Sequence, residues 1–179
     1  MSLRHGLLGL LAEGPASGYD LAQRFQEALG PVWPARHPKI YAELGKLAEA
    51  GLIELDSEGA RGRKAYRITE SGLAEVRRWL VEEEVDHTLR LEPLLRSFFF
   101  WLMEPKDLDE HLEREGKFFG DTAAMYRELT LAKDRGDYGS DPHNKSKRIA
   151  VEAGIRLYEA LAEWAEWARD EIAEDRQNS

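Results

Sequence analysis

Apolar positions in the first part of the chain recur at helical spacing three times, change to alternation, and then return to helical spacing. Leu3, Leu7, Leu8, Leu10 and Leu11 make a first segment that is apolar on most sides, and Gly14-Pro15 ends it. Leu21, Phe25 and Leu29 stripe a second helix, closed by Gly30-Pro31. Ser17-Gly18-Tyr19-Asp20 opens that helix. The Ser hydroxyl can take an unpaired N–H, and Asp20 lies in the first turn, where the helix dipole favours an acid. After a short apolar link, Val32-Trp33-Pro34-Ala35, a third helix is predicted over residues 36–50. Pro38 suits its first helical position and Gly51 the left-handed residue just past its end. Ile40, Leu44 and Leu47 form its one apolar stripe. The period then becomes two. Ile53 and Leu55 alternate with Glu54 and Asp56, Glu58-Gly59-Ala60-Arg61-Gly62 is a turn, and Tyr66 and Ile68 alternate with Ala65 and Arg67, which predicts a two-stranded hairpin. Thr69 caps a fourth helix whose stripe is Leu73, Val76 and Leu80, with Trp79 beside it.

The second half is helical throughout. Residues 81–91 are charged and read as a joint. Pro93 opens a helix to about residue 103, and Leu94, Leu95, Phe98, Phe99, Phe100, Trp101 and Leu102 surround it on nearly every side, the pattern of a buried helix. Pro105 opens a longer helix striped by Leu108, Leu112, Phe119, Tyr126 and Leu129. Residues 135–142 form a polar loop. Ile149, Ala153, Leu157, Leu161, Trp164, Ala168 and Ile172 stripe the last helix. The expected fold is therefore mainly α with a small β-hairpin: a winged helix-turn-helix over residues 1–85 and a helical module over residues 86–179. That module carries more apolar surface than a lone helical extension can bury. A homodimer interface is the expected use, and it would set two third helices about one DNA turn apart, roughly 34 Å. An intramolecular helical bundle is the alternative.

The third helix has a free side as well as an anchored one. At about 100° per residue, Lys39, Ala42, Lys46 and Glu49 fall opposite the apolar stripe and Tyr41 on its flank, while Arg36 and His37 lie just before it. A recognition helix in the major groove has this layout, a narrow body with cations reaching phosphates and base edges. Taken alone, the stretch reads first as an ordinary amphipathic surface helix, since charged outer faces are the rule. Likewise Arg61, Arg63 and Lys64 on the hairpin read alone as solubilising charges. Together, in the order helix-helix-helix-hairpin-helix, basic helix and basic wing make a physical pair for double-stranded DNA.

Composition adjusts this picture in three places. Net charge is −9, which at first argues against a nucleic-acid partner, yet it is unevenly spread: residues 1–80 hold 11 Lys and Arg against 10 Asp and Glu, whereas residues 81–179 hold 14 against 24. The first half can still present a local basic face. The chain has no Cys, so disulfides, thiolate zinc sites and Cys nucleophiles are excluded. At 179 residues, 42% hydrophobic and 33% charged, it is a globular composition. Neither the apolar N-terminal run nor residues 94–103 is long enough to span a bilayer, so a cytoplasmic protein without membrane contact is expected. His5, His37, His87, His111 and His143 are scattered, and none forms a pair four residues apart as a metal-binding helix would. His111 among Glu110, Glu113 and Glu115 reads as a solvated face. Gly59-Ala60-Arg61-Gly62-Arg63-Lys64 lacks the ending of a phosphate loop, and there is no nucleotide-binding glycine fingerprint and no serine elbow. No metal, cofactor or enzymatic activity is expected.

Three stretches resemble one known family, the PadR-type transcriptional regulators. They are Leu8-Gly9-Leu10-Leu11-Ala12-Glu13-Gly14-Pro15-Ala16-Ser17-Gly18-Tyr19-Asp20-Leu21, Ile40-Tyr41-Ala42-Glu43-Leu44-Gly45-Lys46-Leu47-Ala48-Glu49-Ala50-Gly51-Leu52-Ile53, and Gly62-Arg63-Lys64-Ala65-Tyr66-Arg67-Ile68-Thr69-Glu70-Ser71-Gly72. The helical half resembles the C-terminal module of the longer, virulence-activator-like subgroup. The resemblance implies a dimeric winged-helix repressor, with Tyr41 near the DNA backbone and the Ser17-Gly18-Tyr19 helix start turned toward phosphate. Glu43 and Glu49 depart from a purely basic face. Either can accept from a cytosine amino group or face the wing or partner helix, and the second suits Glu49 at the helix's far end.

The expected DNA-binding residues are thus Ser17, Tyr19, Arg36, Lys39, Tyr41, Lys46, Arg61, Arg63 and Lys64. Trp79, Phe98 and Trp101 are candidates to line a site for an aromatic or drug-like effector, with plain dimer core as the alternative. The expected function is a homodimeric repressor of transcription relieved by such an effector. A winged-helix protein–protein adaptor without sequence-specific DNA binding is the other reading.

Overall fold

A computed structural model of the chain describes residues 2–29, 35–58, 64–135 and 141–177. The predicted link at residues 31–34, the wing tip at 59–63 with Arg61 and Arg63, and most of the loop before Pro142 lie outside them. Internal contacts divide the chain into two compact units, Met1–His87 and Thr88–Ser179.

The first unit contains α1 (Ser2–Leu11), β1 (Ala16–Ser17), α2 (Gly18–Ala28), α3 (His37–Glu49), β2 (Ile53–Glu58), β3 (Lys64–Ile68) and α4 (Glu70–Glu82). Leu7, Leu8, Leu10 and Leu11 of α1 meet Leu21 and Phe25 of α2, Ile40, Leu44 and Leu47 of α3, and Ile53 in one buried core. Helix α1 touches α2, α3, α4 and β3, which is why it is apolar on most sides. The end of α3 closes as predicted. Gly51 takes φ +68°, and the N–H groups of Gly51 and Leu52 return to the carbonyls of Ala48 and Leu47, both at 3.0 Å, a paired closure that left-handed glycine permits. Thr69 then ties the two ends of the hairpin together. Its N–H donates to Leu52 O at 3.1 Å, its hydroxyl donates to Gly51 O at 2.8 Å, and the same oxygen caps α4 by accepting from Gly72 N–H at 3.1 Å.

Three expectations for this unit are corrected. The sheet has three antiparallel strands in the order β1-β3-β2, not two. Ala16 pairs with Tyr66 and Ser17 with Ala65. A two-residue strand is too short to show a period, so only the fold reveals it. A bulge between Leu55 and Ser57 breaks the β2 register and adds local bend and twist; Leu55 lies exposed rather than alternating into the core. On α4 the inward face runs through Gly72, Val76 and Trp79, and Leu80 is 68% exposed. Leu80 is turned by about 100° from Trp79, away from α1.

The second unit comprises α5 (Glu92–Ser97), a 3₁₀ turn (Phe100–Leu102), α6 (Pro105–Asp134) and α7 (Pro142–Gln177). Arg169 with Asp109, Arg127 with Glu159 and Arg148 with Asp134 show that α6 and α7 run antiparallel. Leu108 and Leu112 pack on Ala168, flanked by Phe100, Met103, Trp164 and Ile172; farther along, Phe119, Ala123, Ile155, Leu161 and Ala165 are buried. Asp141 leads into α7, accepting from the N–H groups of Asn144 at 3.1 Å and His143 at 3.0 Å. Those bonds, first that of Asn144, hold its carboxyl below the ordinary range.

Three expectations change here. The continuous buried helix from Pro93 is a six-residue helix and a 3₁₀ turn, and its aromatic residues are not enclosed: Phe98 and Trp101 are each 77% exposed, with Leu95, Phe99 and Leu102 also at the surface. Within the chain, Leu94, Phe100 and Met103 are partly covered. On α7, Ile149, Ala153 and Leu157 face outward, and Ile155 occupies the packed side. A ladder of residues four apart precesses by about 40° per step, so the predicted stripe drifts off the contact face between Leu161 and Ile149. From Leu161 onward it holds. On α6, Leu129 is exposed and its neighbour Thr130 is buried, with its hydroxyl donating to Arg127 O at 2.7 Å.

Candidate nucleic-acid interface

Helix α3 carries the expected division of faces. Ile40, Leu44 and Leu47 are buried, while Arg36, His37, Lys39, Ala42 and Lys46 are exposed. Arg36 is the N-cap residue, and Pro38 falls in the first turn, one place later than expected because the helix begins at His37. Gln26, Ala35, Arg36, His37, Pro38 and Lys39 line an open groove beside this helix start. The orphan N–H groups of a helix start and three basic side chains converge there, an arrangement that favours an anion. Glu43 turns partly inward and pairs with Lys46 Nζ at 3.5 Å. Its charge is thereby screened on the face a phosphate would approach.

The start of α2 lies against this helix. Ser17, expected to meet phosphate, is 4% exposed. Its hydroxyl donates to Asp20 Oδ2 at 2.8 Å and accepts from Asp20 N–H at 3.2 Å, while Ser17 N–H donates to the same carboxylate at 3.3 Å. This capping box builds the helix start and leaves the Ser17 side chain committed inside the protein. Tyr19 is 60% exposed and Tyr41 48%. On the hairpin, Lys64 is exposed on β3. Arg67, its neighbour on the same strand, pairs across the sheet with Glu54 Oε1 at 2.8 Å.

A second polar cluster was not legible from spacing. His5 of α1 is buried, its ring stacked on Trp79 at 4.7 Å with 1° between planes, and its Nε2 lies 3.1 Å from Glu75 Oε1. Arg78 donates through Nε to Glu75 Oε2 at 3.0 Å and through Nη2 to Glu83 Oε1 at 2.8 Å. These bonds, first those of Arg78 and then that of His5, hold the Glu75 carboxyl down at about 2. An ionised Glu75 accepts from His5 Nε2–H, which assigns the proton to that nitrogen. His5, Glu75 and Glu83 form the group among the described residues whose ligand atoms, within 4.8 Å of one another, are close enough for a metal ion. The Arg78 guanidinium already bridges both carboxylates, and the cluster serves to fasten α4 to α1. Of the aromatic candidates, Trp79 is thus engaged by His5 in the first unit, whereas Phe98 and Trp101 present open faces in the second.

A helical core, a small antiparallel sheet and an outward basic helix define the winged-helix class of DNA-binding domain. Residues 7–78 match the Transcriptional regulator PadR-like family, and residues 89–173 match the Virulence activator alpha C-term family. The chain is 33% identical over 147 residues to the Negative transcriptional regulator PadR of Bacillus subtilis (strain 168), covering 77% of this chain and 80% of that one. The chain belongs to the PadR-like family of transcriptional regulators. Its fold is similar to two crystal structures of Bacillus subtilis PadR. The one in complex with operator DNA has a TM-score of 0.81 at 24% identity, covering 96% of this chain and 99% of that chain. The one in complex with p-coumaric acid has a TM-score of 0.79 at 25% identity, covering 97% and 99%. Family membership favours the DNA reading over the adaptor. No described helix is long and apolar enough to cross a membrane.

Proposed function

We propose that this chain is a homodimeric cytoplasmic repressor that binds operator DNA through its first unit and is released by a small aromatic effector. The observation that carries the reading is the two-sided α3, which buries Ile40, Leu44 and Leu47 and leaves Arg36, Lys39 and Lys46 in solvent. Arg36, Lys39 and Lys46 serve the major groove and its flanking phosphates, with Tyr19 and Tyr41 at the edge. Lys64, with Arg61 and Arg63, holds the backbone from the wing. Ser17 acts indirectly, by building the start of α2. The relative's description as a negative regulator supports repression.

In the second unit, the exposed Phe118, Met125, Ile149 and Leu157 form apolar surface suited to a two-fold partner. The relative solved with p-coumaric acid supports an aromatic effector, for which Phe98 and Trp101 offer flat faces. Trp79, already stacked on His5, is the weakest of the three candidates. The effector shifts occupancy only through differential affinity for DNA-bound and free states.

The test is fluorescence anisotropy on the duplex upstream of the chain's own coding sequence across salt concentrations, against a scrambled control. Tight, saturable, steeply salt-dependent binding is expected. Equal weak binding to both duplexes overturns the repressor assignment at that site.

A further inference from the structure

Gly18 is the first residue of α2, and its φ is not in the left-handed region, unlike those of Gly14 and Gly51. The backbone there does not require glycine, and glycine in a helix costs stability relative to alanine. The reason for it is space. A Cβ on Gly18 would lie 2.7 Å from Tyr41 Cε1 and 3.3 Å from Cδ1, so the Tyr41 ring rests edge-on against the bare start of α2. Gly72 makes the contrast: a Cβ there would meet the Leu52 carbonyl oxygen at 2.2 Å. That obstacle is backbone, and the fold would have to give. At Gly18 the obstacle is a half-exposed side chain on the flank of α3, and only the ring has to move.

We propose that Gly18 is a positioning residue for the DNA interface: it seats Tyr41 across the start of α2, joining the recognition helix and the second helix into one preformed surface. This rests on the DNA-binding reading above. Holding the ring before DNA arrives removes the cost of ordering it on binding. The same seat keeps the ring against the first residue of α2, at a helix start, where phosphate is stabilised. Nothing in the neighbouring capping box depends on a Gly18 side chain, so the box survives the substitution.

The test is a double-mutant cycle with Gly18→Ala and Tyr41→Ala in the full-length chain. The probe is a mixed-sequence duplex at low salt, because phosphate contacts do not require the operator. Gly18→Ala is expected to weaken binding about three- to tenfold, the range for freeing one ordered side chain at an interface. In the Tyr41→Ala background the same change is expected to alter affinity less than about twofold, since the ring it would displace is gone. An equal loss in both backgrounds, or no loss with Tyr41 present, overturns the inference. Failure of the wild-type chain to bind any duplex overturns the DNA-binding reading instead. Thermal midpoints guard against misfolding. If Gly18→Ala is unstable, recovery in the double variant to the midpoint of Tyr41→Ala supports the seat, and persistence of the instability overturns it.

Discussion

The two units of this chain treat their apolar residues in opposite ways. In the first, every strong apolar position of α1, α2 and α3 is covered by another element of the same unit, and α1 touches four of them. In the second, two long helices pair along one face and leave Phe98, Trp101, Phe118, Met125, Ile149 and Leu157 outside. Apolar periodicity therefore means different things in the two halves. Where a unit closes on itself, the stripe names the core. Where helices pair only once, a second apolar stripe records surface that awaits a partner.

Core truncation separates the halves most strongly. Phe25→Ala should cost about 3–5 kcal/mol in urea unfolding, whatever the protein concentration. Phe118→Ala, at an exposed position, should cost less than about 0.5 kcal/mol within the chain and act instead by lowering the midpoint at low protein concentration. An equal, concentration-independent loss from both would erase the distinction.

Glycines sharpen it. Gly72→Ala should destabilise by about 1–3 kcal/mol, since its Cβ meets the Leu52 carbonyl. Gly120→Ala on α6, with open space around the new Cβ, should gain about 0.5–1 kcal/mol from helix propensity. The same urea titrations read both signs.

Acid reads the clamp between α1 and α4. Arg78, with His5, lowers Glu75 from its ordinary 4.5 to about 2. The stabilisation is therefore present above pH 4.5 and is lost as pH falls toward 2. Glu75→Gln should flatten the acid limb of the midpoint-versus-pH curve over that window, and an unchanged limb would show that the ion pair carries none of it.

Smallest in stability is the exposed face of α3. Lys39→Ala should shift unfolding by less than about 0.5 kcal/mol while lowering the salt slope of DNA binding by about one. An unaltered slope removes Lys39 from the phosphate contacts.

Much of the first unit was legible because local chemistry and global packing agree there. Ser17 with Asp20, Gly51, and Thr69 with Gly72 mark element ends by hydrogen bonds that span only a few residues. Ile40, Leu44 and Leu47 name the buried side of α3, and hence its free basic side. The exceptions arose where geometry acts at a distance. Ser17 was expected at the DNA and is instead sealed into its own cap. Trp79, a candidate for an effector site, has one face stacked on His5, a partner 74 positions away that no periodicity could nominate.

Residue order alone thus determined the sequence of elements, the turn and cap residues, the acidic bias of the second half and the two-sided character of α3. These depend on helical and strand periods and on contacts within a turn. Tertiary structure decided the rest. It added β1 as a third strand, turned Leu80, Leu129 and Ile149 outward, paired His5 with Glu75, and set Tyr41 against Gly18. Each depends on which elements meet and at what rotation, and a helical repeat that misses a whole turn by a fraction of a residue cannot hold that rotation over a long helix.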